Sequence, residues 1–185
     1  MNILKTILNK IRAMMANRSY ETKLKYLRKN GVSIGNRTRL NCSVNAFGSE
    51  PYLVTVGEDC LIAADTCFFT HDGGVKVLSD LGYFGEDRMD IVAPITVGNN
   101  VYIGSGAYIL PGVRIGDNCI IGAAAVVTRD IPNNSVAVGI PARVIRSVDE
   151  YYENAVKKGW LYPTAKMSVE EKKAYFLALR SQNNA

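Results

Sequence analysis

The single histidine of this 185-residue chain, His71, is the side chain best suited to proton transfer near neutral pH. It lies in the segment FFTHDG, where a regular repeat gives way to a long polar loop. An imidazole in that place could take a proton from a weakly acidic group and pass it on. A lone histidine can equally be structural, so the surrounding elements must decide between the two roles.

Residues 91–127 contain a six-residue repeat, and this repeat is the framework that would position His71. An aliphatic residue recurs at every sixth place: Ile91, Val97, Ile103, Ile109, Ile115, Ile121 and Val127. Four places after each comes another apolar residue, usually smaller: Ile95, Val101, Ala107, Val113, Cys119 and Ala125. A period of six fits neither a helix nor a simple strand, and it is typical of a parallel β-helix. The pattern therefore predicts a solenoid with three hexads per coil and the aliphatic residues inside.

The repeat is less regular upstream of this run. Residues 46–53 interrupt it, and a second excursion over about 74–90 is too polar and too rich in glycine to be coil. Long loops that leave a rigid scaffold commonly carry function, so we expect the second excursion to reach over a functional pocket. The upstream inward positions are Ile34, Leu40, Val56, Ile62 and Phe68.

The C-terminal part of the repeat carries a family resemblance. The run VGNNVYIGSGAYILPGVRIGDNCIIGAAAVVTRDIPNNSVAVGIPARVIR resembles the closing half of a hexapeptide-repeat acyltransferase. It is most similar to the maltose/galactoside and polysaccharide O-acetyltransferases, and VVTRDIP and GIPARVI are its most specific segments. The resemblance covers about residues 30–146. It implies a left-handed β-helix, a homotrimer, and acetyl-CoA as a cosubstrate bound in the cleft between neighbouring subunits.

We therefore predict a mainly β fold, a left-handed parallel β-helix of hexapeptide repeats over residues 31–146 with one long inserted loop at about 72–90. Basic amphipathic helices are expected in residues 1–30, and further helices in residues 147–185. Apolar residues at three-and-four spacing, together with N-cap and capping-box motifs, predict helices over 3–15, 19–29, 148–158 and 169–181.

Charge is concentrated in the N-terminal segment. Residues 1–30 hold eight basic side chains and one acidic one, which gives +7 and leaves −2 for the rest of a chain whose net charge is +5. No nucleic-acid-binding motif accompanies this charge, so nucleic acid is not an expected partner. Residues 1–15 either cap the end of the solenoid or rest on an anionic membrane surface.

The remaining composition predicts a cytoplasmic protein, with peripheral membrane contact through residues 1–15 as an open alternative. No apolar run approaches the roughly 20 residues of a membrane span, and the N-terminus lacks the features of a signal peptide. The four cysteines form no CxxC pair, and Cys60 and Cys119 fall on small inward positions. We expect core cysteines, and neither disulfides nor a metal site.

The resemblance assigns His71 as the general base that takes a proton from the acceptor hydroxyl. A sugar hydroxyl is too weakly acidic to attack a thioester unaided, which is why an imidazole is needed. The group that orients the ring is open among Asp72, Glu86, Asp87, Asp90 and a backbone carbonyl. The GSGA turn at 104–107 is a candidate for supplying the backbone N–H that an oxyanion requires.

The resemblance also carries the coenzyme A contacts to particular residues. Guanidinium groups suit the pyrophosphate and 3′-phosphate of coenzyme A. Thr128 and Ala123 are expected to act through their backbone. The full predicted set is Ser105, Ala123, Thr128, Arg129, Arg143 and Arg146.

Taken together, these features predict an acetyl-CoA-dependent O-acetyltransferase that modifies a saccharide hydroxyl in surface-polysaccharide biosynthesis. An N-acetyltransferase acting on an amino sugar or nucleotide sugar would use the same base and groove, and a non-catalytic solenoid would need neither. A γ-class carbonic anhydrase is excluded because its zinc requires three histidines.

Overall fold

The structure is a computed structural model that describes residues 2–182, except for the side chains of residues 2–6, 9 and 182. The chain divides into two compact units, Met1–Asp149 and Glu150–Ala185. Parts of the predicted terminal segments lie outside the described residues, namely Met1, the side chains of Ile3 and Leu4, and residues 183–185.

Short strands, most of them paired in parallel, build the first unit, in agreement with the predicted mainly β solenoid. Sheet A has the order β1-β3-β8-β11, sheet B the order β15-β14-β12-β9-β4-β2, and sheet C the order β13-β10-β5. The strands are β1 (Ser33–Ile34), β2 (Arg39–Leu40), β3 (Val54–Val56), β4 (Leu61–Ile62), β5 (Cys67–Phe68), β6 (His71–Asp72), β7 (Ile91–Val92), β8 (Ile95–Val97), β9 (Tyr102–Ile103), β10 (Tyr108–Ile109), β11 (Arg114–Ile115), β12 (Ile120–Ile121), β13 (Val126–Val127), β14 (Ser135–Gly139) and β15 (Ala142–Ser147).

The register of these strands shows one coil to be 18 residues long. Tyr102 pairs with Ile120, and Tyr108 pairs with Val126, each 18 positions later. The chain thus visits sheets A, B and C in turn, with a corner between each pair. We call these corners AB, BC and CA. Three hexads per coil, as predicted, follow from this register.

The interior of the coils is the predicted aliphatic stack. The inward residues from Val97 to Val127 are all buried, as are the alternate apolar residues from Ile95 to Ala125. Burial of each large aliphatic side chain contributes about 1.5–3 kcal/mol, so the stack is the main source of stability. Cys60 and Cys119 lie in the same core, and burial raises the pKa of both thiols, which therefore stay neutral.

The first hexad assigned from the sequence is wrong, because Ile91 is not an inward residue. Ile91 is 41% exposed and pairs with Asp72 in an antiparallel β6-β7 arm. Thr55 pairs with Thr96, which is 41 positions later rather than 18, so an insertion of 23 residues separates two successive coils. The insertion contains β6, the helix α3 (Val75–Asp80) and β7, and the coil resumes at Ile95. Two helices precede α3 in the chain, namely α1 (Asn2–Ala16) and α2 (Tyr20–Lys29).

The helix α2 covers the open end of the solenoid and satisfies carbonyl groups of the first coil. Lys23 is buried, and its Nζ donates to the carbonyl oxygens of Leu40 (3.1 Å) and Cys42 (2.6 Å). Arg28 Nη2 donates to the carbonyl oxygen of Ile34 at 3.1 Å, and Leu27 packs into the core. Such contacts occupy strand groups that would otherwise be free to pair with another chain.

The second unit contains α5 (Val169–Gln182) and most of α4 (Val148–Lys157). A capping box begins α5, because Glu171 Oε2 accepts from the Ser168 backbone N–H at 2.7 Å and Ser168 Oγ accepts from the Glu171 N–H at 3.2 Å. The ring of Tyr162 packs edge-on against Phe176. Within residues 2–182, none of the helices combines the length and hydropathy needed to span a bilayer.

We expect Gly104→Ala to destabilise the protein, because consecutive coils touch at this glycine. A Cβ placed there would lie 2.5 Å from the backbone nitrogen of Ala123 and 2.8 Å from its Cα. Such overpacking costs about 1–3 kcal/mol and lowers Tm by roughly 2–12 °C in a chain of this size. Thermal unfolding followed by circular dichroism measures the change. Gly73→Ala is the matched control, because no described heavy atom lies within 4 Å of its added Cβ; equal Tm values for the two variants would contradict the close contact.

Candidate active site

His71 lies where the insertion leaves the solenoid at corner CA. It follows β5 of sheet C, and β6 holds its backbone through the antiparallel pairing of His71 with Val92. The Ala93 N–H also donates to the carbonyl oxygen of Thr70 at 2.9 Å, which closes the base of the insertion. The imidazole is 47% exposed. A side chain on a fixed backbone is thus open to a substrate.

Glu50 orients the imidazole of His71. The Nδ1 atom of His71 lies 2.9 Å from Glu50 Oε2, and Ser49 Oγ is 3.3 Å from the same nitrogen. Thr70 Oγ1 donates to Glu50 Oε2 at 2.6 Å. Hydrogen bonds from Thr70 and His71 lower the pKa of Glu50, so its carboxylate is ionised at neutral pH.

This contact determines which ring nitrogen of His71 can act as a base. An ionised carboxylate only accepts hydrogen bonds, so the Nδ1 atom facing Glu50 carries the proton. The lone pair then lies on Nε2, which is the nitrogen not engaged by Glu50. A histidine held in this tautomer, with a carboxylate behind it, can accept a proton from a hydroxyl and is stabilised when it becomes positively charged.

Packing between neighbouring coils brings Glu50 to His71. Glu50 belongs to a segment with two short 3₁₀ helices, Val44–Phe47 and Pro51–Leu53, that replaces a sheet C strand in the first coil. The ring of Phe47 stacks on that of Phe68, with centroids 5.0 Å apart. Gly48 has a φ of +67°, and a Cβ there would meet the Phe68 carbonyl oxygen at 3.2 Å. Glycine thus allows the segment to turn directly beside the strand that leads into His71.

Sequence reasoning missed Glu50 and offered other carboxylates instead. Asp72, the nearest of these in sequence, accepts a hydrogen bond from the Gly74 N–H at 2.8 Å through its Oδ1 and shapes the turn before α3. The available signal was the interruption at residues 46–53, which lies one coil before His71 and contains one carboxylate. The interruption is part of the candidate site.

Three of the predicted coenzyme A residues lie along corner BC. Ser105 and Ala123 are 18 positions apart, and the Ala124 N–H donates to the Ser105 carbonyl oxygen at 2.9 Å. Gly139 pairs with Ala142 at the end of the β14-β15 hairpin, in the next layer above Ala123, and Arg143 follows directly. The side chains of Ser105 and Arg143 are exposed there.

The other three predicted residues lie elsewhere on the solenoid. Thr128 and Arg129 follow β13 at corner CA, the corner from which the His71 insertion departs two coils earlier. Arg146 pairs with Val136 at the far end of the hairpin, toward corner AB. Sheet C lies between corner BC and His71, so one chain does not bring the whole predicted set together.

Ser105 supplies the candidate oxyanion donor of the GSGA turn. The N–H groups of Gly104, Gly106 and Ala107 donate to the carbonyl oxygens of Ile121, Ala64 and Gly104, respectively. The backbone N–H of Ser105 is therefore the candidate that the turn offers to a ligand. Among the described residues, no cluster of three or more His, Cys, Asp or Glu side chains could hold a metal ion.

Comparisons with known proteins support the hexapeptide-repeat family that the sequence resembles. Residues 94–129 match the bacterial transferase hexapeptide (six repeats) family. Protein CapG of Staphylococcus aureus is 41% identical over 85% of this chain and 88% of its own length. Galactoside O-acetyltransferase of Escherichia coli K12 is 46% identical over 55% of this chain, but over only 47% of its own length.

A solved structure shows the same fold. The structure of a galactoside acetyltransferase in complex with coenzyme A matches with a TM-score of 0.58 and 29% identity, covering 80% of this chain and 82% of that one. The repeat, the parallel sheets and the extensive match to CapG agree with each other. This chain therefore belongs to the hexapeptide-repeat acyltransferase family.

Proposed function

We propose that this protein transfers the acetyl group of acetyl-CoA to a saccharide hydroxyl, with His71 as the general base. The observation that carries the proposal is the contact between His71 Nδ1 and Glu50, which leaves Nε2 of a half-exposed imidazole as the base. Relatives that are named as galactoside acetyltransferases, one of them bound to coenzyme A, support the donor and the acceptor class. Surface-polysaccharide biosynthesis is the setting that the family resemblance favours.

In the proposed reaction the acetyl group passes directly from coenzyme A to the acceptor, and His71 carries the proton from the hydroxyl to the thiolate. The acceptor hydroxyl oxygen attacks the thioester carbonyl carbon while Nε2 of His71 takes the hydroxyl proton. The tetrahedral oxyanion accepts a hydrogen bond from the Ser105 backbone N–H. The carbon–sulfur bond then breaks, and the imidazolium returns the proton to the leaving thiolate. The products are an O-acetyl ester and free coenzyme A.

Glu50 makes this cycle favourable without touching either substrate. While His71 is protonated, the ionised carboxylate at 2.9 Å stabilises the imidazolium. Thr70 holds the carboxylate from behind, since its hydroxyl donates to the same oxygen and its side chain is fully buried. Glu50 is therefore a positioning residue, and Thr70 fixes Glu50.

A complete site needs residues from two copies of the chain. Ser105, Ala123 and Arg143 lie along corner BC, whereas His71 projects beyond corner CA on the other side of sheet C. Neighbouring solenoids that pack side by side would bring corner BC of one subunit next to His71 of the next. We infer the left-handed β-helix and the homotrimer with intersubunit clefts that the family resemblance implies. Thr128 and Arg129 would lie along the cleft, and Arg146, toward corner AB, is the proposed contact farthest from it.

Arg143→Ala is expected to weaken the binding of coenzyme A. Arg143 is exposed and pairs with Val138 near the end of the β14-β15 hairpin, and its Nη1 donates to the Ala142 carbonyl oxygen at 2.7 Å, which fixes the guanidinium near corner BC. Loss of a charge-assisted phosphate contact costs about 1–3 kcal/mol, so Kd should rise roughly 5- to 150-fold. Isothermal titration calorimetry measures this change. Arg37→Ala is a control far from the corner, and an unchanged Kd in Arg143→Ala would remove this residue from the site.

Release of free thiol from acetyl-CoA tests the proposed activity. The assay compares sugars, nucleotide sugars and serine as acceptors at fixed acetyl-CoA concentration. We expect turnover with saccharides and none above background with serine. Binding of acetyl-CoA without turnover on any saccharide would contradict the proposed acceptor class, and failure to bind acetyl-CoA would contradict the proposed donor.

A further inference from the structure

The large apolar side chains described in the helix α1 point away from the protein. Its described large apolar residues are between 44% and 66% exposed, whereas Ala13 and Ala16 are only 7% and 5% exposed and belong to the core cluster. The exposed set is Ile7, Leu8, Ile11, Met14 and Met15. The helix therefore docks on the solenoid through its alanines.

The geometry of the helix places these two groups on opposite sides. At about 100° per residue, the five exposed apolar side chains fall within an arc of about 120°, and Ala13 and Ala16 lie on the far side. Capping of the solenoid thus accounts for the alanine face and leaves the apolar stripe without a partner among the described residues. An exposed apolar stripe of this size on a protein surface marks an interaction site.

Basic side chains border this stripe. Lys10 and Arg12 flank the arc on its two sides, as their positions on the helical wheel require. A groove of about 630 Å³ between α1 and α2 opens beside it and is lined by Arg12, Arg18, Lys25 and Lys29, together with Met15 and Tyr26. Among the described residues, none of these four groove cations takes part in an ion pair.

We propose that α1 lies in the plane of an anionic lipid surface, with its apolar stripe in the acyl boundary and lipid phosphates at the groove. An exposed apolar arc edged by lysine and arginine is the arrangement that interfacial helices use. Charge selects this occupant over a second copy of the chain. Two copies meeting through this face would bring together two segments that each carry +7, whereas anionic headgroups neutralise that charge.

Vesicle sedimentation of the whole 185-residue chain tests this proposal, independently of the acetyl-transfer activity. The probes are vesicles of phosphatidylcholine alone and of phosphatidylcholine with 30% phosphatidylglycerol, each at low and high salt. We expect binding to the anionic vesicles only, weakened by salt because the charges are screened. The double variant Ile11→Glu, Met14→Glu should reduce the partition coefficient at least tenfold, and Arg18→Gln, Lys25→Gln should reduce it by roughly fivefold per cation.

Control variants on α5 distinguish binding through the apolar stripe of α1 from non-specific adsorption to vesicles. Val169→Glu removes another exposed apolar side chain, and Lys172→Gln, Lys173→Gln removes two other cations, so both should bind vesicles like the wild type. Equal binding to neutral vesicles, or undiminished binding by the α1 variants, would overturn the proposal. A change in oligomeric state of Ile11→Glu, Met14→Glu in light scattering, without any vesicle binding by the wild type, would show that a second copy covers the stripe.

Discussion

Replacement of His71 by asparagine should lower kcat by about 10²- to 10⁴-fold, because it removes the one histidine of the chain, the group proposed to take the hydroxyl proton. Asparagine keeps a polar group of similar size but has no basic nitrogen. Thiol release from acetyl-CoA under saturating acceptor gives kcat directly. The Kd for coenzyme A should stay within about twofold of the wild-type value, since His71 is not among the proposed coenzyme contacts, three of which lie along corner BC.

Circular dichroism and light scattering serve as controls for this variant, because His71 is half exposed and its loss should leave the fold and assembly intact. A variant that folds and assembles like the wild type but retains its kcat would show that another group accepts the proton. That result would remove His71 from the mechanism.

Glu50→Gln should lower kcat by roughly 10- to 100-fold while changing the KM for the acceptor little. Glutamine can present its amide N–H₂ to Nδ1, which favours the tautomer with the proton on Nε2 and so occupies the lone pair that the reaction needs. It also removes the charge that stabilises the imidazolium. Steady-state kinetics that separate kcat from KM measure the effect.

Two neighbouring substitutions show whether the effect is specific to Glu50. Ser49→Ala removes a longer contact, at 3.3 Å from Nδ1, and should reduce kcat only slightly. Asp72→Asn keeps the acceptor for the Gly74 N–H and should also have a small effect. A large loss in Asp72→Asn together with near wild-type activity in Glu50→Gln would assign the orienting role to Asp72 instead.

The coil architecture could be predicted from sequence because it depends on a local rule that repeats. The inward residues from Val97 to Val127 obey the six-residue period, and all are buried. Ile91 obeys the same period and is nevertheless exposed, because its backbone pairs with the insertion rather than with a neighbouring coil. Periodicity alone cannot distinguish the two, since the spacing to Val97 is the same in either arrangement.

The candidate site could be predicted only in part, for a related reason. The role of His71 is predicted from its residue type and from its place at the end of a coil, both of which are visible in the sequence. Glu50 reaches His71 through the stacking of one coil on the next, which joins residues 21 positions apart. The stack of Phe47 on Phe68 and the turn at Gly48 create that proximity, and neither follows a repeat.

The N-terminal helix shows the same limit of sequence patterns. Its apolar stripe was visible in the sequence, but whether the stripe faces the protein or the solvent was open. The structure assigns the contact with the solenoid to Ala13 and Ala16, whose small side chains allow the helix to approach closely. These two alanines therefore set the orientation of α1. A prediction based on the large apolar residues does not anticipate this.

The central claim is acetyl transfer to a saccharide oxygen with His71 as base, and carbon-13 NMR of the product tests it most directly. Acetyl-CoA labelled at the acetyl carbonyl carbon is incubated with simple glycosides and with their 2-amino counterparts. We expect an ester carbonyl signal on the glycoside in the wild-type reaction and its loss with His71→Asn. An amide signal on the amino sugars alone, or an ester signal that persists in the variant, would contradict it.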